Sequence, residues 1–279
     1  HPIHFSVIVL HLSLSSPLLL TGLLVLMIPP TTEIYTLSLH DALPISLGIS
    51  IRALASSIET RDYFSNGHQQ RASSMARLIA QELGISAERT DTIRLAAVIH
   101  DIGKITIPAE ILNKKGLLSD TEYGFIHGHP EAGYNILRKL DLSWPLAEIV
   151  LQHHEKMDGN GYPNSSRGVN IHEFARIIAV ADVFDAMTSA RVYKPKISQF
   201  KVAEEILTES YDHLDVNIAN VFLKNIAAFY VGNNVRLNTG EIAEIIMVNK
   251  FAITRPLVKT SHDFYDLSKN YKVDILEVL

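Results

Sequence analysis

Between Ser46 and Tyr230, apolar residues recur at the spacing of α-helices. Met75, Leu78, Ile79 and Leu83 mark the apolar face of one helix, and Gly84 supplies its stop signal. Ile93 to Ile99 is apolar almost all round, the pattern of a helix buried at the centre of a domain. Further helices are predicted over 120–139, 145–156, 173–189, 199–210 and 216–229. Between 157 and 171 the pattern breaks: Asp158-Gly159-Asn160-Gly161-Tyr162-Pro163-Asn164 is turn chemistry, so a loop joins two helices there. From Gly232 onward the period changes. Val235-Arg236-Leu237 and Ala243–Val248 are strand candidates around the turn Asn238-Thr239-Gly240. The fold class predicted is mainly α with a small C-terminal β extension. Three stretches are expected: a distinct segment at 1–46, a helical domain at 47–230 and a β-rich extension at 231–279.

Composition narrows the function. The 279 residues are 47% hydrophobic and 20% charged, which excludes a disordered chain and leaves ample material for a core. The formal net charge is −5, so no global basic field invites a nucleic acid polymer. Cysteine is absent, which removes disulfides, thiolate metal sites and thiol nucleophiles and fits a reducing, cytoplasmic setting. Thirteen histidines remain to be explained.

The first 46 residues differ from the rest. Phe5 to Ile28 carries no formal charge and is long enough to span a bilayer, but serines, a threonine, a proline and a glycine dilute it, and no Lys or Arg flanks it before Arg52. Tyr35–Ile45 resembles the conceptual translation of a sequencing-library adapter. The expectation is that residues 1–46 are non-native and that the apolar run is no membrane anchor.

Chemistry concentrates where polar residues interrupt apolar helical stretches. His100-Asp101 closes the buried apolar helix, with Lys104 four residues after His100; if the helix continues, His100 and Lys104 share a face. His129-Pro130, His153-His154 and Asp182 interrupt later helices, and His68 opens an earlier one. A buried imidazole or carboxylate is costly unless paired or metal-bound, and inward-facing sets of this kind suit a metal site. A single helix histidine is more often a satisfied packing residue; four imidazole-bearing segments with two core carboxylates are harder to explain that way. Adjacent helix positions diverge by about 100°, so His153 and His154 reach one metal from different sides or serve two. His127, His172 and His213 lack such context.

These residues carry a resemblance. His100-Asp101-Ile102-Gly103-Lys104 followed by His153-His154-Glu155-Lys156-Met157-Asp158-Gly159-Asn160-Gly161-Tyr162-Pro163 resembles the HD-GYP family, a branch of the HD phosphohydrolases. Gly67-His68, His129-Pro130, Val180–Ser189 and Arg191-Val192-Tyr193-Lys194 follow in the family's order, over about Ile58 to Leu279. The resemblance implies an HD-type helical bundle with a two- or three-metal centre, usually iron or manganese, and hydrolysis of cyclic di-GMP to linear pGpG and in some members to GMP. It implies that His68, His100, Asp101 and Asp182 hold one metal, and that Asp101, as a bridge, holds the second with His129, His153 and His154. Lys104 matches a lysine on the scissile phosphate, Arg191 and Lys194 match residues holding phosphates, and Gly161-Tyr162-Pro163 matches a loop beside the substrate. Phe64 stands where some members carry a carboxylate for a third metal, so two metals are expected.

The residue types suit that chemistry. Two metals neutralise a phosphodiester and lower the pKa of water for attack, and a bridging carboxylate fixes their separation. Imidazole and carboxylate ligands do not choose among iron, manganese and zinc. Glu155 is placed to orient a ligand imidazole. Arg191 suits a bidentate phosphate grip, or a plain surface role near a helix end. Tyr162 suits stacking on guanine, or packing on the body. The competing functions are a phosphohydrolase for another cyclic dinucleotide and a catalytically silent nucleotide sensor. The resemblance also leaves room for a homodimer and for a regulatory domain ahead of residue 47.

Overall fold

The computed structural model describes residues 53–62, 67–140, 145–189, 199–209, 212–249 and 251–279. The 1–46 segment, Phe64, Arg191 and Lys194 lie outside them. A short helix α1 spans residues 53–59. It is followed by α2 (His68–Glu82), α3 (Ala87–Ile99), a 3-10 helix (Ile102–Thr106), α4 (Ala109–Leu112), α5 (Asp120–His127), α6 (His129–Leu137) and α7 (Leu146–Gln152). Then come α8 (Glu173–Thr188), α9 (Gln199–Glu209) and α10 (Val216–Phe229). The helical part holds one continuous apolar core, in which Ile79, Ile93, Ile149, Ile177, Ile178 and Phe222 are wholly buried.

The helices start and stop for local reasons. Gly67 precedes α2 with φ 69°, a left-handed conformation that glycine adopts without a Cβ clash. In α2, Ile79 is buried and Met75 and Leu83 pack on the core, whereas Leu78 faces outward. Ser119 and Glu122 form a capping box at the start of α5. The single helix predicted over 120–139 is two helices, because the chain turns at Gly128 and Pro130 opens α6 within its first turn. The α-helical ladder of α3 ends at Ile99, and Lys104 sits on the tighter 3-10 turn instead of one turn along a continuing α-helix.

That turn is held by close backbone approach. A Cβ on Gly103 would lie 1.9 Å from the carbonyl oxygen of His129, and one on Gly133 would lie 2.8 Å from Val150 Cγ1. Glycine at both positions lets α6 settle on the 3-10 helix, which sets Asp101 beside His129.

The C-terminal part is a five-stranded antiparallel sheet of order β4-β3-β2-β1-β5. Its strands are β1 (Asn234–Leu237), β2 (Ile242–Asn249), β3 (Ala252–Lys259), β4 (Phe264–Asp266) and β5 (Ile275–Val278). Val235, Leu237, Ala243, Ile245 and Val258 alternate inward and form a second apolar cluster with Phe200 of α9. Arg255 ties this part together: its guanidinium donates to Asp274 at 2.7 Å, to the carbonyls of Leu267, Asn270 and Val273, and to Glu204 of α9 at 3.4 Å.

Candidate metal centre

Seven side chains converge between α2, α3, α6, α7 and α8. Ligand-capable atoms of His68, His100 and Asp101 all lie within 4.8 Å of one another, and those of His129, His153 and His154 form a second such group. Asp101 spans the two: its Oδ2 is 3.5 Å from His100 Nε2 and 3.9 Å from His68 Nε2, while its Oδ1 is 3.3 Å from His129 Nε2. Asp182 spans them again, with Oδ1 3.1 Å from His68 Nε2 and Oδ2 3.9 Å from His154 Nδ1. His100, Asp101, His129 and His153 are 1–2% exposed, so bulk water does not satisfy these atoms.

The imidazoles are oriented by their other nitrogen. Nδ1 of His100 donates to Ala97 O at 2.8 Å, Nδ1 of His129 to Ile126 O at 2.6 Å, and Nδ1 of His153 to Val150 O at 2.6 Å. A carbonyl only accepts, so the proton of each neutral ring sits on Nδ1 and the Nε2 lone pair points into the site. Each carbonyl lies three residues before its histidine, at a helix C-terminus where carbonyls lack helical partners. His129 Nε2 and His153 Nε2 then face each other at 3.2 Å with no proton between them. Two lone pairs so placed repel, and a cation between them removes the repulsion. Donors bound to one ion at about 2.1 Å sit roughly 3.0–3.4 Å apart, so the residues present fit a metal.

Electrostatics agree with the geometry. Burial holds His129, His153 and His154 in the neutral form, with His154 lowered to about 3. Burial works against the charge on Asp101 too, but Lys104, His100 and His129 hold its carboxyl well below the usual range. Asp182 is likewise held low: burial opposes its charge, but the His68 hydrogen bond together with the nearby His100, His154 and His68 rings outweighs it. Burial opposes protonation of His68, yet hydrogen bonds to Asp182 and Asp185 raise its pKa to about 10. One group therefore offers three neutral imidazoles, the other the rings of His68 and His100 beside carboxylates, and both carboxylates are ionised.

Lys104 stands at the edge of the site, with Nζ 2.7 Å from Asp101 Oδ2 and 3.5 Å from Asp62 Oδ2. Burial disfavours its charge, but the Asp101 and Asp62 carboxylates keep its pKa above the ordinary lysine value. Lys104 and Asp62 line a cavity of about 800 Å³ together with Asp101, His154, Asp182 and Lys114. That volume lies within the range of about 300–1,000 Å³ usual for small-molecule sites.

Two carboxylates beside the site are not evident from the sequence pattern. Asp185 accepts from His68 Nδ1 at 2.7 Å and from Arg71 Nε at 2.6 Å, so it fixes the His68 ring. It lies three residues after Asp182 on α8, a spacing that shares a helix face and was the available signal. Asp62 is buried beside Lys104, and no pattern around it announces this. His127, without context in the sequence, stacks on the Tyr162 ring at 4.0 Å between centroids, and Tyr162 in turn lies 4.8 Å from the His154 ring. His213 Nε2 is 3.6 Å from Asp158 Oδ2 in the same loop region, and His172 accepts from Phe174 N as the cap of α8.

Glu155 differs from its expected role. Its Oε1 accepts from Asn164 N at 2.7 Å and its Oε2 from Ser166 N at 2.9 Å, so both oxygens clamp the returning loop. A Cβ on Gly161 would lie 2.3 Å from Lys156 N and 2.5 Å from Glu155 Cα, so glycine there lets the loop close onto its own start.

Residues 52–218 match the family described as HD domain. This chain belongs to the HD domain family, in its HD-GYP branch. It is 43% identical over 150 residues to the cyclic di-GMP phosphodiesterase response regulator RpfG of Xanthomonas campestris, covering 52% of this chain and 39% of that relative. A cyclic di-GMP phosphodiesterase of Pseudomonas aeruginosa is 33% identical over 205 residues, covering 72% of this chain and 49% of the relative. A 3′3′-cGAMP-specific phosphodiesterase of Vibrio cholerae is 35% identical over 174 residues, 62% and 33% of the two chains. The HD-GYP chain therefore spans from a third to a half of the length of these relatives. Among solved structures, a cyclic GMP-AMP specific phosphodiesterase of V. cholerae shares the fold at TM-score 0.51 and 18% identity, covering 64% of this chain and 48% of that one. Among the described residues no helix is long and apolar enough to cross a membrane.

Proposed function

We propose that this chain is a metal-dependent phosphodiesterase that hydrolyses cyclic di-GMP to linear pGpG, with GMP as a further product. The observation that carries the reading is the pair of carboxylates, Asp101 and Asp182, each with one oxygen toward each histidine group. His68, His100, Asp101 and Asp182 would hold one divalent ion, and Asp101, His129, His153 and His154 the other; iron or manganese suits this donor set. When bound, such a pair neutralises a phosphodiester and supplies an activated water.

The chain's own groups do the rest. The charged Lys104 at the cavity edge attracts the phosphate and is placed to give a proton to the departing sugar oxygen. Asp62 holds the Lys104 ammonium toward the cavity. Arg191 and Lys194, outside the described residues, are assigned the second phosphate. Tyr162 keeps its hydroxyl proton, because burial and the nearby Asp182 and Asp101 raise its pKa, so it remains a neutral donor beside the site. Residues 47–230 are the catalytic domain in this reading, and 231–279 an extension of it.

The second reading is hydrolysis of another cyclic dinucleotide; the 3′3′-cGAMP-specific relatives favour it over a silent sensor. The test is chromatographic analysis of cyclic di-GMP incubated with the anaerobically purified, metal-loaded chain. Accumulation of pGpG or GMP is the expected result. Loaded protein that leaves every 3′,5′-cyclic dinucleotide intact overturns the assignment.

A further inference from the structure

A second cavity, of about 540 Å³, lies between α8 and α9 and shares His154 and Asp182 with the first. A ligand whose phosphate sits at those two residues therefore has room on both sides of them. The α8 wall of the second cavity presents Val183 and Met187, an apolar surface that suits the flat face of a base. The α9 wall presents Lys201 and Glu205, four residues apart and therefore on one helix face. Among the described residues, neither side chain makes a hydrogen bond or ion pair, with the other or with any third residue. The neighbouring Glu204 differs, since its carboxylate accepts from Arg255 Nη1 at 3.4 Å.

Resting on the cyclic-dinucleotide reading above, we propose that this cavity seats a guanine base and that Glu205 and Lys201 read its edge. Guanine presents two adjacent donors, N1–H and the N2 amino group, beside the acceptor O6. A carboxylate accepts two parallel N–H bonds, as it does from an arginine fork, and an ammonium donates to O6. Adenine places an unprotonated N1 where guanine has its N1–H. Against adenine the Glu205 carboxylate meets a lone pair, and Lys201 meets an amino group that cannot accept. A polar site left unmatched in this way discriminates strongly. Glu205 and Lys201 are therefore the specificity determinants for the base.

The test uses the full chain in two states. With chelator, equilibrium binding of cyclic di-GMP and cyclic di-AMP is measured in the absence of turnover; with added manganese, hydrolysis of both is measured. The unaltered chain is expected to prefer cyclic di-GMP in both. Glu205→Gln is expected to shrink that preference roughly ten- to a hundredfold, the worth of hydrogen bonds to a charged group, with unchanged helical circular dichroism. Glu204→Gln is expected to keep the preference, because its carboxylate is already engaged. An unchanged preference in Glu205→Gln, or no measurable binding of either nucleotide, overturns the base-reading proposal. Guanine-selective, Glu205-dependent binding without hydrolysis of either nucleotide upholds it and sinks the enzyme reading instead.

Discussion

At the scale of single residues, the centre is shaped by groups outside the two histidine clusters. Asp185 is the sharpest case. It holds His68 through Nδ1 and is itself held by Arg71. Asp185→Ala removes that hold but leaves every ligand atom in place, so metal affinity is expected to fall roughly 10- to 100-fold. Competition against a metal-indicator dye reads this directly, and unchanged affinity would show that the His68 ring is fixed by other means. His100, Asp101, His153 and His154 stand out in the sequence because polar residues in the middle of apolar helical stretches are expensive. Asp185 and Asp62 do not, because a carboxylate near the end of a helix or in a turn looks the same whether it faces water or a buried partner. Glu155 shows the opposite failure. Its neighbour in sequence is His154, but its neighbours in space are the amides of Asn164 and Ser166, which only the folded loop brings back to it.

At the scale of elements, the helix pattern was legible and its interruptions were not. The apolar period runs through 120–139 without a break, yet the chain bends at Gly128, and that bend puts His129 at the start of α6 with its Nε2 inward. Two of five strands are evident from alternation. β4 and β5 are short, at three and four residues, and β3 contains Pro256, which argues against a strand until the register irregularity beside it in β2–β3 pairing is seen. The Gly161 contact makes a prediction at this scale. Gly161→Ala forces the loop off Glu155 and Lys156, an overpacking cost of about 1–3 kcal/mol. A thermal unfolding midpoint several degrees lower is expected, and an unaltered midpoint would mean that the loop has slack not visible in its contacts.

At the scale of the molecule, the apolar core and the polar centre oppose each other. The core fixes the histidines at positions where, without a cation, the facing nitrogens of His129 and His153 repel. Metal is therefore expected to stabilise the fold as well as act in catalysis. At a free metal concentration 100 times the dissociation constant, binding contributes about 2.7 kcal/mol per site. Chelation, which empties both sites, is expected to lower the unfolding midpoint by roughly 10–20 °C for a domain of this size, reversibly on readdition. A midpoint indifferent to chelator would place the convergence of nitrogens among packing features.

Metal content tests whether Asp101 bridges the two histidine groups. The chain and its Asp101→Ala variant, purified in parallel without oxygen and saturated with manganese or iron, are to be assayed by elemental analysis after removal of free ion. About two metals per unaltered chain, with a marked loss in folded Asp101→Ala, is the predicted result, because one carboxylate serves both groups. Metal content near zero in the unaltered folded chain, or equal content in the variant, would contradict it.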